Sequence, residues 1–131
     1  MDITPLKKAY ATLERALENK HQIDDDLYEI YRAGTIQHFE YCFELSWKFM
    51  KRAIENAWSE INLKSKRDVF REALKNNLIT DFNLWDEFLE SRNRTTHTYD
   101  EYTAEEVYKM VQSFYEEMKY LIEKIENMEE T

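Results

Sequence analysis

Residues 35–58 read TIQHFEYCFELSWKFMKRAIENAW. Ile36, Phe39, Phe43, Trp47, Met50 and Ile54 recur every three or four positions, the spacing of one face of an α-helix. Leu45, Phe49 and Ala53 run beside them as a second stripe. The apolar face is therefore wider than a single packing partner needs. A helix of this kind is central in a bundle, or also lines a subunit interface.

The helical period continues on both sides. Upstream, Thr4-Pro5 reads as an N-cap followed by proline at the first helical position, and Leu6, Tyr10, Leu13 and Leu17 carry that helix to about His21. Asp24, Asp25 and Asp26 are expected to cap a short helix bearing Leu27, Ile30 and Tyr31, with Gly34 closing it as a left-handed C-cap. Downstream, Ser65 and Asp68 cap a helix holding Val69, Phe70, Ala73 and Leu74. After Asn76-Asn77, a helix over about 81–94 turns Leu84, Trp85, Phe88 and Leu89 inward. Thr103 and Glu106 read as a capping box. Beyond them Val107, Val111, Phe114, Met118, Leu121, Ile125 and Met128 follow a heptad-like seam. The prediction is an all-α protein: an up-and-down antiparallel four-helix bundle with one or two extra short helices, as a single domain over residues 1–131. One glycine and one proline in 131 residues argue against many short strands joined by tight turns.

Composition bounds the setting. A single cysteine, Cys42, permits no internal disulfide and predicts a reducing, cytoplasmic compartment. The first residues lack the basic and apolar regions of a signal peptide, and no apolar run approaches bilayer-spanning length, so no membrane partner is expected. The formal charge of −9 opposes non-specific binding to nucleic acid. The charge is unevenly spread, however. Residues 46–75 hold eight Lys or Arg against four Asp or Glu, whereas residues 100–131 hold three against ten. This is either a local basic surface on an acidic body or ordinary helix faces of mixed charge. One glycine cannot build a phosphate-binding loop. His21, His38 and Cys42 have no metal-ligand neighbours in sequence, so neither metal nor cofactor is expected.

One stretch departs from the rest: Arg92-Asn93-Arg94-Thr95-Thr96-His97-Thr98-Tyr99-Asp100. It holds two arginines, a histidine, a tyrosine and three threonines, with no aliphatic residue. The β-branched threonines predict that a helix ends here. Five residues apart on a straight helix, Arg92 and His97 would face different ways; a helix end can bring them together. An arginine and a titratable histidine are a minimal set for metal-free RNA cleavage. The histidine moves protons and the arginine stabilises charge growing on the phosphate. One histidine does not readily act as base and acid in the same transfer, and a symmetric dimer would supply two. The competing reading is a polar loop in which an arginine pairs with Glu87 or Glu90.

Three stretches together resemble the nucleotidyltransferase substrate-binding protein family, within the HEPN superfamily that includes HepT-like toxins. They are Gly34 through Lys48, Ser65 through Ala73, and Leu84-Trp85 through Asp100, in the family's order and covering most of residues 34–115. The third carries the family's Arg-x4-His-x-Tyr signature as Arg92, His97 and Tyr99. The resemblance implies a helical homodimer paired with a separate minimal nucleotidyltransferase, as in a toxin–antitoxin pair. It implies a metal-independent endoribonuclease with Arg92 and His97 as catalytic residues. It also implies that the partner silences the enzyme by adding AMP to Tyr99. Asn93, Arg94 and Thr96 are the candidate substrate-binding residues beside them, with RNA or a nucleotide as ligand. The alternative is a non-catalytic subunit that presents a nucleotide or other substrate to the nucleotidyltransferase.

Overall fold

Five α-helices and three short 3-10 turns make up the computed structural model, which describes residues 1–129. The helices are α1 (Thr4–Glu18), α2 (Tyr28–Ala57), α3 (Lys66–Lys75), α4 (Phe82–Arg94) and α5 (Glu101–Glu129). No strand occurs among the described residues. The all-α prediction holds, with α1, α2, α4 and α5 as the four bundle helices and α3 as the short extra one.

Side-chain contacts give the helix directions. His38 Nε2 lies 3.1 Å from the Ala9 carbonyl, and the Tyr31 hydroxyl donates to that of Ala16, so α1 runs antiparallel to α2. Tyr115 donates to Glu14 at 2.6 Å and Lys7 pairs with Glu126 at 2.9 Å, so α1 is also antiparallel to α5. These reversals of α1 against α2 and against α5 fit the up-and-down order expected of short connections between long helices.

Most of the two stripes on α2 is covered inside the protomer, with Leu45 and Trp47 left part-buried. Ile36, Phe39, Phe43, Met50 and Ile54 are buried, and so are Phe49 and Ala53 of the second stripe. Its width reflects a central position, with α1, α3, α4 and α5 all packed against it. The α5 seam is buried as predicted from Val107 through Ile125, with Met128 part-buried at its end. Phe114 is the crossing point: Phe39 and Phe43 of α2 and Trp85 and Phe88 of α4 all lie within 6.3 Å of its ring centroid.

Several helix ends differ from the sequence reading. Gly34 closes nothing; α2 runs through it from Tyr28 to Ala57. Glycine costs only about 1 kcal/mol in a helix, less than the apolar burial on both sides recovers. A Cβ at Gly34 would meet no atom within 4 Å, so no steric demand calls for glycine there. The Asp24–Asp26 run forms a 3-10 turn in which no side chain caps. Asp2, not Thr4, accepts the first free backbone N–H of α1 (Thr4 N, 2.9 Å). The expected Thr103–Glu106 box gives way to Asp100, whose carboxylate accepts from the Thr103 N–H at 3.0 Å and the Thr103 hydroxyl at 2.8 Å. The Ser65 cap is present, accepting from Asp68 N at 3.0 Å.

A buried arginine fastens the start of α5. Arg32, 5% exposed, donates through Nη1 to Glu101 at 2.6 Å and Glu105 at 2.8 Å, and through Nη2 to Glu101 at 2.8 Å. Its guanidinium lies 5.5 Å from the Tyr28 ring centroid, and the Tyr28 hydroxyl donates to Glu105. Hydrogen bonds from Tyr28 and then Arg32 hold the Glu105 carboxyl below its usual range; the Arg32 hydrogen bonds do the same for Glu101. Carboxylates with lowered folded-state pKa values stabilise the fold above their unfolded pKa and lose that effect as pH falls through the folded value. Arg32→Leu should therefore cost about 1–2 kcal/mol at neutral pH, allowing for solvent screening. Urea denaturation should show the gap to wild type closing below about pH 4. A gap of equal size at both pH values would refute this linkage.

Candidate functional site

The Arg92–Asp100 segment joins α4 to α5, and its threonines shape it. Thr95 Oγ1 donates to the Arg92 carbonyl at 2.7 Å, Thr96 Oγ1 to that of Asn93 at 3.4 Å, and Thr98 Oγ1 to that of Thr95 at 3.3 Å. Each reaches back three residues. Such local bonds compete with the α-helical ladder and tighten the chain into a 3-10 turn over Thr95–His97. Asp100 then caps α5. The predicted helix end is therefore present, and its cause is visible.

The turn gives the motif's side chains different partners. His97 and Tyr99 point outward together: His97 Nδ1 lies 3.3 Å from the Tyr99 hydroxyl, with the rings edge-to-face at 5.8 Å. Tyr99 is 86% exposed, and Tyr102 beyond it 70%. Asn93, Arg94 and Thr96 share the segment, all three exposed at the surface. Arg92 is half-buried and turns instead toward α2. Its Nε lies 3.5 Å from Glu44 Oε1 and its Nη1 3.7 Å from Glu40 Oε2, while Nη1 donates to Thr95 Oγ1 at 3.2 Å. No hydrogen bond joins Arg92 to His97 among the described residues. The turn places both on one short segment, each with its own hydrogen-bond partners.

The acidic partners of Arg92 are not those of the competing polar-loop reading. Glu90, with Asp86, is occupied by Arg67 at 2.8 and 2.7 Å, and Glu87 is exposed. Glu40 and Glu44 take that place. Their signal in the sequence was an i, i+4 acidic pair, the only carboxylates of α2 between Glu29 and Glu55. Arg92 is held by long ion pairs rather than a tight fork: Nε is buried without a hydrogen bond, and Nη2 has no partner among the described residues. The free side of the guanidinium suits a phosphate oxygen.

Other candidates are structural. Cys42 is buried against the Ala9 carbonyl, its thiol pushed up by burial to about 12, which removes the thiolate needed for reactivity. His38 bonds the same carbonyl and packs on Tyr41. No helix among the described residues is long and apolar enough to cross a membrane.

Known proteins share this fold. A solved structure titled as HI0074 from Haemophilus influenzae, revealing "the fold of a substrate binding domain of a nucleotidyltransferase", superposes with a TM-score of 0.88 at 30% identity, covering 95% of this chain and 99% of that one. A crystal structure of a Thermus thermophilus protein matches with a TM-score of 0.78 at 25% identity over 92% of this chain and 98% of its own. The Haemophilus influenzae protein named "Probable ribonuclease HepT" is 38% identical over 96 residues, which are 71% of this chain and 66% of that relative's length. The family described as "Nucleotidyltransferase substrate binding protein like" matches residues 1–127. With the fold and the match over residues 1–127 in agreement, this chain belongs to the nucleotidyltransferase substrate-binding protein family.

Proposed function

We propose that the chain is the HEPN-type ribonuclease subunit of a minimal nucleotidyltransferase pair, cytoplasmic and homodimeric, with His97 as proton-transfer group and Tyr99 as the site of control. The observation that carries this reading is the solvent-facing His97–Tyr99 pair, 3.3 Å apart, on the segment that begins at Arg92. In cleavage, a ribose 2′-hydroxyl attacks the adjacent phosphorus as the bond to the 5′-oxygen breaks. One His97 takes the 2′ proton and the His97 of a second copy returns one to the leaving oxygen. Arg92 and Arg94 counter the charge gathering on the phosphoryl oxygens.

The same pair suits modification. The Tyr99 hydroxyl can attack the α-phosphorus of ATP held by the partner, releasing pyrophosphate, with its proton passing to His97 Nδ1. The attached phosphate then sits where an RNA phosphate would approach Arg94 and His97, and like charge excludes the substrate.

The purified protein should cleave total RNA in the presence of EDTA. Addition of the nucleotidyltransferase with ATP and Mg²⁺ should add AMP-sized mass to Tyr99 and stop cleavage. Tyr99→Phe should still cleave but escape silencing. A second reading, a non-catalytic subunit that presents substrate to the nucleotidyltransferase, is favoured by one feature: within the protomer Arg92 is engaged by Glu40 and Glu44 rather than by the His97 side. Wild type and His97→Ala equally inert towards RNA would decide for it.

A further inference from the structure

Five of the eight cations in residues 46–75 fall into two groups. Arg67 is tied to Asp86 and Glu90, Arg71 to Asp68 and Lys75 to Glu72. Lys48 has no carboxylate partner among the described residues, and Lys66 has only a 3.7 Å contact with Glu44 Oε1. That oxygen is the one facing Arg92 Nε at 3.5 Å. The other oxygen, Oε2, accepts from Trp47 Nε1 at 3.0 Å. Lys66 Nζ lies 5.3 Å and Lys48 Nζ 5.9 Å from the Trp47 ring centroid. Glu44 thus gathers, from three helices, the motif arginine, a lysine and an indole that draws in a second lysine.

We propose that Lys66, Trp47 and Lys48 form a binding strip for single-stranded RNA, continuing from Arg92 and holding the strand beside the cleaved bond. The proposal rests on the ribonuclease reading for its substrate. Three cations face two carboxylates (Glu40 and Glu44) here, leaving a net positive charge on a chain of −9. A local cationic track is what an acidic protein needs to admit a polyanion at all. Interleaved lysines and a part-exposed aromatic ring are the chemistry of sequence-tolerant single-strand binding, with phosphates on the cations and a base against the ring. The ammonium groups are held near the indole by cation–π attraction, yet no short ion pair has to be broken for a phosphate to reach them.

The test uses binding, which does not depend on cleavage. A fluorescent single-stranded RNA is titrated into His97→Ala protein by anisotropy across a salt series. Adding Lys48→Gln and Lys66→Gln should weaken binding roughly 10-fold. It should also flatten the slope of log K against log salt by about 1.4, the share of two phosphate contacts on a single strand. Lys8→Gln with Lys119→Gln, the same change in net charge at exposed positions on α1 and α5, should leave both unchanged. Lys48→Arg with Lys66→Arg, which keeps both charges, should bind as the unsubstituted pair does. Equal losses from the two double variants would overturn the strip in favour of a general charge effect. So would unchanged RNA binding with weakened binding of the nucleotidyltransferase, which would make this surface a protein contact. If wild type cleaves RNA while the Lys48/Lys66 variant binds normally, the strip fails and the ribonuclease reading stands. If the strip binds RNA and wild type never cleaves it, the reverse holds.

Discussion

His97→Ala should lower RNA cleavage by roughly 100- to 10,000-fold, the range lost when a positioned general acid–base group is removed. The fold should not change, because His97 is exposed and its side-chain hydrogen bond is to Tyr99, itself 86% exposed. Circular dichroism and thermal midpoint should match wild type, which separates loss of chemistry from loss of structure. Each protomer carries one such histidine, so the proposed two-proton cycle needs two copies. Sedimentation at micromolar concentration should give a dimer, and mixing wild type with excess His97→Ala should suppress activity by forming half-sites. Full activity from a monomer, or no effect of mixing, would refute the shared site. Tyr99→Phe removes the hydroxyl but leaves the ring beside His97. It should alter cleavage far less than the histidine variant does.

Phe114→Ala should cost about 3–5 kcal/mol, the range for emptying a buried aromatic site. Phe114 has no solvent exposure. Its edge-to-face partners Phe39, Phe88 and Trp85 have ring centroids at 5.0, 5.3 and 5.8 Å, so truncation removes several favourable aromatic pairs together with the transfer energy. Those partners come from α2 and α4, both anchored in turn to their own neighbours, so the cavity has little freedom to collapse. The thermal midpoint should fall by roughly 12–20 °C for a domain of this size. Tyr102→Ala, an equally drastic truncation at a 70% exposed position, should stay within about 0.5 kcal/mol of wild type. A loss below about 1.5 kcal/mol at Phe114 would mean that the aromatic junction is not the centre of the core.

The helical class and the core were legible along the chain because an amphipathic period is a local property. Whichever partner covers Phe39, Phe43 or Val111, their spacing already marks one side of a helix, and all three are buried. The candidate segment was legible for the opposite reason: Arg92–Asp100 lacks aliphatic residues, and its threonines compete with the helix by bonds spanning only three residues. Capping was less secure. Ser65 was read correctly, but Gly34, Thr4 and Thr103 were not. Several residues near each helix end can serve as caps, and packing further along the helix chooses among them. The fusion of the Tyr28–Ala33 segment into α2 is the clearest case. A glycine stop signal worth about 1 kcal/mol was outweighed by continuous burial on either side.

By itself, then, the sequence determined that this protein is a helical bundle, which side of each helix is apolar, and where the chain breaks to expose a histidine and a tyrosine. Only the tertiary structure decided what those groups meet. Arg92 pairs with Glu40 and Glu44, on a helix far back along the chain, rather than with its helical neighbours Glu87 and Glu90. Arg32 is buried against Glu101 and Glu105, and Phe49 and Ala53 of the second α2 stripe are covered within the protomer. Ion pairing falls off over a few ångströms and carries no periodicity. Its partners are set by which helices lie side by side, a relation that no spacing along one chain segment encodes.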